Sequence, residues 1–280
     1  MSADRVATVD RELENKHRTL WGLGDYGAIA AEVVAPLGPE LVAAAGIGQG
    51  TRVLDVAAGT GNAAIAAALA GADVVATDLV PDLLAQGQRV AAAAGVGLVW
   101  QEANAEALPF RDGQFDTVVS CIGVMFAPHH QQAAAELVRV CRPGGTIAVS
   151  SWTPEGFIGQ LFATMKPFVP APPPGASPPP LWGSEDHVAA LLGGLVTDLA
   201  TTRRSLTVDR FADGAAFRDY FKAKYGPTIT AYRGIADQPE RVAALDAALA
   251  ELADRALAGT TTMPWEYLLV TARKPDTTAG

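Results

Sequence analysis

Cysteine is scarce in this 280-residue chain. There are two, Cys121 and Cys141, too few for a disulfide framework, and both stand in apolar runs that read as small buried hydrophobes in a reducing compartment. No CxxC, HExxH or clustered Cys/His spacing is present, so no metal site is expected. Basic clusters are equally thin. Lys16-His17-Arg18 and Arg203-Arg204 are among the densest, within a chain of 30 acidic and 21 basic side chains and a formal charge of −9. Binding along a phosphate backbone needs clustered Lys and Arg, so neither nucleic acid nor a membrane surface is an expected partner. The segment from Met1 to Arg18 alternates acids and bases without the apolar core of a leader peptide. No uncharged stretch of about 18 strongly apolar residues exists to span a bilayer. A cytoplasmic protein is expected.

Apolar residues, by contrast, make up 49% of the chain, ample for a buried core. Much of this is alanine, as in residues 63–70 and 91–94, which reads as small-residue helix filler. The length suits one large domain or a core carrying an insertion. Residues 8–46 have helical spacing, with Pro36 and Pro39 expected to split the run. From Thr51 the rhythm changes to short apolar strands at 52–56, 73–77, 98–101, 116–122 and 146–152. Helices at 63–70, 81–94 and 130–141 alternate with them. Such alternation predicts an α/β fold, a parallel sheet with helices on both faces. Beyond Trp152 the proline-rich run 171–180 predicts an extended surface crossing. Further strands are expected at 206–208 and 267–272, and helices near 215–224 and 239–257.

The segment Val53-Leu54-Asp55-Val56-Ala57-Ala58-Gly59-Thr60-Gly61-Asn62 lies between the first strand and its helix. Glycines there let a ligand approach bare backbone. Gly59-x-Gly61-x-x-Ala64 also fits the dinucleotide fingerprint in its alanine-ending form, so a nicotinamide-dependent oxidoreductase is one reading. Asp55 points elsewhere. A carboxylate there sits poorly beside a pyrophosphate and suits a ligand with positive charge, such as the ammonium and sulfonium of S-adenosylmethionine. The plainer alternative is that Asp55 only accepts backbone N–H bonds from the loop. Asp78 ends the second strand, placed to accept hydrogen bonds from both hydroxyls of a ribose.

LDVAAGTGNAA at 54–64, VVATD at 74–78, NAEALPF at 104–110, FDTVVS at 115–120 and RPGG at 142–145 stand in an order and spacing that resembles the class I S-adenosylmethionine-dependent methyltransferases. The likeness is to the small-molecule branch, with its methyltransferase type 11 and ubiquinone-biosynthesis-like members, and it covers roughly residues 50–152. It implies a doubly wound, seven-stranded, mostly parallel Rossmann-like sheet with an α-helical lid insertion. Residues 1–49 would cover the cofactor site, 50–152 would bind S-adenosylmethionine, and 153–280 would supply a lid and the last strands. The resemblance places Ala57, Gly59 and Gly61 under the methionine part of the cofactor and Asp78 on its ribose. Leu79 would lie against the adenine, and Asn104 and Ala105 at the adenine edge, where the family more often has Asp than Asn. Ser120 and Cys121 would offer backbone to the methionine end. Tyr26 would close over the sulfonium or carboxylate, or else be a core tyrosine under the lid.

In-line methyl transfer needs alignment and exclusion of water, with a base where the acceptor carries a proton. His129 and His130, just past the fourth strand, are the candidates for that base. His17 and His187 are expected to be solvated. Met125 and Phe126 are expected to floor an apolar pocket roofed by later aromatics. These features point to a small, apolar or aromatic methyl acceptor such as a phenol, a quinone-like or polyketide-like molecule or a prenyl chain, methylated on O or C. A non-methylating enzyme or cofactor-binding regulator on the same fold stays open, and the oligomeric state is not encoded in any of these patterns.

Overall fold

A computed structural model describes residues 11–276; residues 8–10 of the expected N-terminal helical stretch, and most of the segment read for a leader, lie outside that range. The core grows from β1 (Arg52–Val56), whose Val53, Leu54 and Val56 are fully buried, as expected of a strand covered on both faces. β1 pairs in parallel with β2 (Asp73–Asp78) on one side and β4 (Phe115–Cys121) on the other. β3 (Val99–Glu102) extends the first side, and β5 (Cys141–Trp152) the second. β7 (Met263–Arg273) then runs antiparallel between β5 and β6 (Thr197–Val208). The seven-stranded order is β3-β2-β1-β4-β5-β7-β6.

The connections run outward in opposite directions from β1 and β4. A crevice therefore opens at their carboxyl ends, the topological switch point where open α/β sheets bind ligands. α4 (Asn62–Leu69) follows β1 and packs on α3 (Leu37–Ala44), while α5 (Pro81–Ala93) covers β2 and β3. α6 (His130–Val140) lies on β4 and β5. Upstream, α1 (Arg11–Gly22) is followed by α2 (Tyr26–Glu32), whose N-cap Asp25 accepts from Ala28 N–H at 3.1 Å. α7 (Phe157–Met165) and α8 (Glu185–Leu192) precede β6. α9 (Gly214–Lys224), α10 (Gly226–Gly234) and α11 (Pro239–Leu257) lie between β6 and β7. Phe157 of α7 stacks on Trp265 of β7 with ring centroids 5.4 Å apart, tying this helical cover to the sheet. No single helix among the described residues is long and apolar enough to cross a membrane.

Several boundaries differ from the sequence reading. The chain does break near Pro36, but Pro39 sits inside the first turn of α3, where its missing N–H has no intrahelical partner to lose. The helix expected over 130–141 stops at Val140, and the strand expected from 146 begins at Cys141, which already pairs with Phe115, so Arg142-Pro143-Gly144-Gly145 lies within β5, where Gly144 at φ +66° takes up the irregularity. β6 is nine residues longer at its start than expected. It is an edge strand whose Thr and Arg side chains face solvent, so its first part has no apolar alternation to read. α7, α8 and α10 gave no separate signal.

Candidate active site

The loop after β1 spends its own backbone donors. Ala58 N–H donates to Thr77 O at 2.8 Å, Gly59 N–H to Asp78 Oδ2 at 2.8 Å, and Gly61 N–H to Ala58 O at 2.8 Å. The N-terminus of α4 is capped from below, since Asp55 Oδ2 accepts from Ala64 N–H at 2.8 Å. A pyrophosphate needs such N–H groups free at a helix N-terminus; here a carboxylate already takes that of Ala64. Ala57 adopts φ +54° and Ile122, at the end of β4, also φ +54°, so two side-chain-bearing residues hold left-handed backbone where the crevice opens. Gly123 lets these two strand ends meet: a Cβ there would lie 2.2 Å from Ala57 O. Gly123→Ala is expected to cost about 1–3 kcal/mol by overpacking, read as a lower urea midpoint at unchanged m.

A cavity of about 230 Å³ occupies the crevice. Of the residues singled out from sequence, Tyr26, Ala57, Gly59, Asp78 and Leu79 line it, as do Asn104, Ala105, Cys121, Phe126 and His129. Asp78 is buried, its Oδ1 accepting from Val80 N–H at 2.9 Å, and burial raises its carboxyl above the usual range. Tyr26 Oη accepts from Gly226 N–H at 3.1 Å, and its ring meets Tyr225 edge-on. Burial lifts the Cys121 thiol to about 12, leaving it protonated. Asn104 is already engaged. Its Oδ1 accepts from Glu106 N–H at 2.9 Å, and its amide donates to Glu14 at 3.0 Å.

Five other residues stand behind the wall. Asp55 is buried beneath the loop with Oδ1 unpartnered, and burial pushes its carboxyl up to about 8. Gly61 holds the left-handed cap of α4, where the Trp100 ring fills the space beside it. Ser120 Oγ donates to Val56 O at 2.6 Å and accepts from Val124 N–H at 2.8 Å, fastening β4 to β1. Met125, expected on the floor, is fully buried because it falls on the inner side of a short 3₁₀ turn at Val124–Phe126; Phe126 alone faces the cavity.

His130, expected near substrate, is turned into the core. Its Nε2 lies 3.2 Å from Met125 O and its Nδ1 2.9 Å from His187 Nε2. A carbonyl only accepts, so Nε2 carries the proton and His187 donates to Nδ1. Burial, reinforced by His187, pushes His130 down to about 4. As the first residue of α6, it is aimed opposite to its N-capping neighbour His129. His187 is therefore not simply solvated, and neither is His17, which lines the cavity and is lowered mainly by burial.

The sequence reading missed five contributors. Glu14, His17 and Trp21 form one face of α1 at i, i+3, i+7 spacing, a periodicity that was visible but not tied to a site. Glu106 stood unremarked inside NAEALPF. Tyr225 was counted only as a general aromatic. Trp21 packs on Phe126 with centroids 4.4 Å apart, so α1 closes the cavity with rings. No Lys or Arg lines it among the described residues; its ionisable side chains are carboxylates, histidines, Tyr26, Tyr225 and Cys121. That donor set, walled by aromatic faces, suits a ligand carrying a cationic centre and opposes a pyrophosphate.

Comparison with known proteins agrees. Residues 54–149 match the Methyltransf_11 family, described as a methyltransferase domain. The chain is 58% identical over 258 residues to the uncharacterized protein Rv1403c of Mycobacterium tuberculosis, covering 92% of this chain and 94% of that one. It is 41% identical over 115 residues to a demethylmenaquinone methyltransferase of Thermus thermophilus, covering 40% of this chain and 52% of the relative. Among solved structures, a putative sarcosine dimethylglycine methyltransferase from Galdieria sulphuraria superposes with a TM-score of 0.55 at 14% identity, covering 95% of this chain and 99% of that one.

Proposed function

The chain belongs to the class I S-adenosylmethionine-dependent methyltransferases, and from that premise we propose that its methyl acceptor is a small, apolar or aromatic molecule bound beside the cofactor in the crevice above β1 and β4. The observation that carries this is the wall itself: Trp21, Tyr26, Phe126, Trp152 and Tyr225 enclose the space, and no cation is available among the described lining residues to hold a phosphate or carboxylate.

S-adenosylmethionine supplies, when bound, a methyl group already activated on a sulfonium. The protein's share is placement. Ala57 and Gly59 present the loop backbone to the methionine part, and the backbone at Cys121 meets the same end. Gly61 and Ser120 shape these two segments from behind. Asp78 takes the ribose hydroxyls, Leu79 packs on the adenine, and Ala105 borders it. Asn104 acts through its side chain by fixing the turn at Glu106 rather than by reading the adenine. Asp55 holds α4 in place under the loop. Tyr26 and Trp21 close over the reacting centre and exclude water, which strengthens every polar contact inside. Residues 11–49 and the helices after β5 form the cover, and residues 50–152 hold the cofactor.

The test is release of S-adenosylhomocysteine with a panel of acceptors: phenols, quinols, polyketide-like aromatics and prenylated compounds against polar amines, amino acids and sugars. Demethylmenaquinone belongs in the panel because the Thermus relative bears that name. Turnover is expected with the hydrophobic set. Turnover confined to polar metabolites overturns the proposed acceptor class. Binding of nicotinamide dinucleotide tighter than about 100 μM, roughly −5.5 kcal/mol, would contradict the donor accounting of the glycine loop.

A further inference from the structure

Glu106 stands in the loop between β3 and β4, and its side chain is only 9% exposed. Both carboxylate oxygens are committed to one residue. Oε1 accepts from the backbone N–H of His129 at 2.7 Å, and Oε2 lies 3.0 Å from its ring Nδ1. An ionised carboxylate only accepts, so Nδ1 carries the hydrogen and Nε2 of the neutral ring keeps its lone pair. The His129 ring is on the cavity wall and 37% exposed. Glu106 is itself held. Its N–H donates to Asn104 Oδ1, the Asn104 amide donates to Glu14 Oε2, and Glu14 pairs with Arg18 at 3.4 Å. The hold on His129 thus runs back to α1, the helix that roofs the cavity.

We propose that Glu106 is the positioning residue that fixes His129 as the base of this enzyme, and that the acceptor carries an ionisable phenolic or enolic hydroxyl whose proton His129 Nε2 takes. The proposal rests on the methyltransferase reading above and narrows its acceptor class. An imidazole suffices for a hydroxyl of that acidity, and aliphatic alcohols and C–H bonds lie far beyond it. Carboxylate and phosphate acceptors find no cation among the described lining residues and meet Glu14 and Glu106 instead. In the step, the acceptor O–H bond breaks, its electron pair stays on oxygen and the proton moves to Nε2. The Glu106–His129 pair passes from a net charge of −1 to zero, and the imidazolium later returns the proton to water through its exposed side. The Glu106 carboxylate stabilises that imidazolium without accepting the proton, the same division of labour as in acid–histidine pairs elsewhere.

Long-range ¹⁵N–¹H spectra of the labelled protein, with His129 assigned by its loss in His129→Gln, read the tautomer directly and need neither cofactor nor substrate. Wild type is expected to show Nδ1 protonated and Nε2 bare. In Glu106→Gln the side-chain carbonyl can still accept from His129 N–H while its amide faces Nδ1. The tautomer should then invert, and kcat with a phenolic acceptor should fall by about 10²- to 10⁴-fold, with KM and the calorimetric affinity for S-adenosylmethionine unchanged. A wild-type ring protonated at Nε2 overturns the proposal. So does a Glu106→Gln variant that keeps its tautomer and loses only stability or cofactor affinity, the signature of a purely structural role. An Nδ1-protonated His129 in a protein that methylates none of the panel overturns the acceptor reading instead.

Discussion

Replacing His129 by alanine lowers kcat by about 10²- to 10⁴-fold and leaves the affinity for S-adenosylmethionine unchanged. The ring faces the cavity and is oriented by a buried carboxylate, but it is no part of the loop that follows β1 or of the Asp78 cradle. Its removal therefore takes away a proton acceptor and leaves the cofactor's surroundings intact. The neighbouring substitution behaves differently. His130→Ala strands the His187 donor and Met125 O, and it is expected to cost about 1–3 kcal/mol of stability, read in the urea midpoint. Steady-state kinetics with any accepted phenol separates the two. Equal kcat in wild type and His129→Ala removes this residue from the chemistry.

Asp78→Ala is expected to weaken S-adenosylmethionine binding by about 1.5–3 kcal/mol, roughly tenfold to 150-fold in Kd. Two losses combine. The ribose loses a charge-assisted acceptor, and Gly59 N–H and Val80 N–H lose the carboxylate that holds them. These two groups set the shape of the loop and of the turn into α5, so the free protein should also soften, by about 1–3 kcal/mol for each buried donor left alone. Asp78→Asn separates the effects. Its carbonyl can serve one backbone donor, but its NH₂ must face the other, so the loop is disturbed even though size is kept. Isothermal calorimetry for Kd and denaturation for stability read both terms. Unchanged affinity in Asp78→Ala shows that the ribose is held elsewhere.

The central sheet was legible because β1, β2, β4 and β5 are covered on both faces and write themselves as apolar runs between helices. β6 was not, because an edge strand of Thr and Arg gains its order from pairing with β7, over fifty residues away in the chain. The site divided in the same way. Asp55, Gly59, Gly61 and Asp78 sit at fixed offsets along one strand–loop–helix–strand unit, so local spacing singled them out. Glu106 and His129 are 23 residues apart, and His17 comes from α1. No periodicity within one element could bring them together.

His129 and His130 carry the separation furthest. They are adjacent and chemically identical, and composition and spacing named both as equal candidates. Only folding distinguishes them: one caps α6 and faces the cavity against Glu106, and the next enters the helix and turns inward to His187 and Met125 O. The sequence alone determined the class of fold, the strand–glycine loop–helix unit at its centre and the acidic character of the chain, because these depend on local backbone preference and on total charge. Which titratable groups share a dielectric environment, and which nitrogen of a histidine keeps its lone pair, was decided by tertiary contact, since both depend on partners that the chain delivers from distant positions.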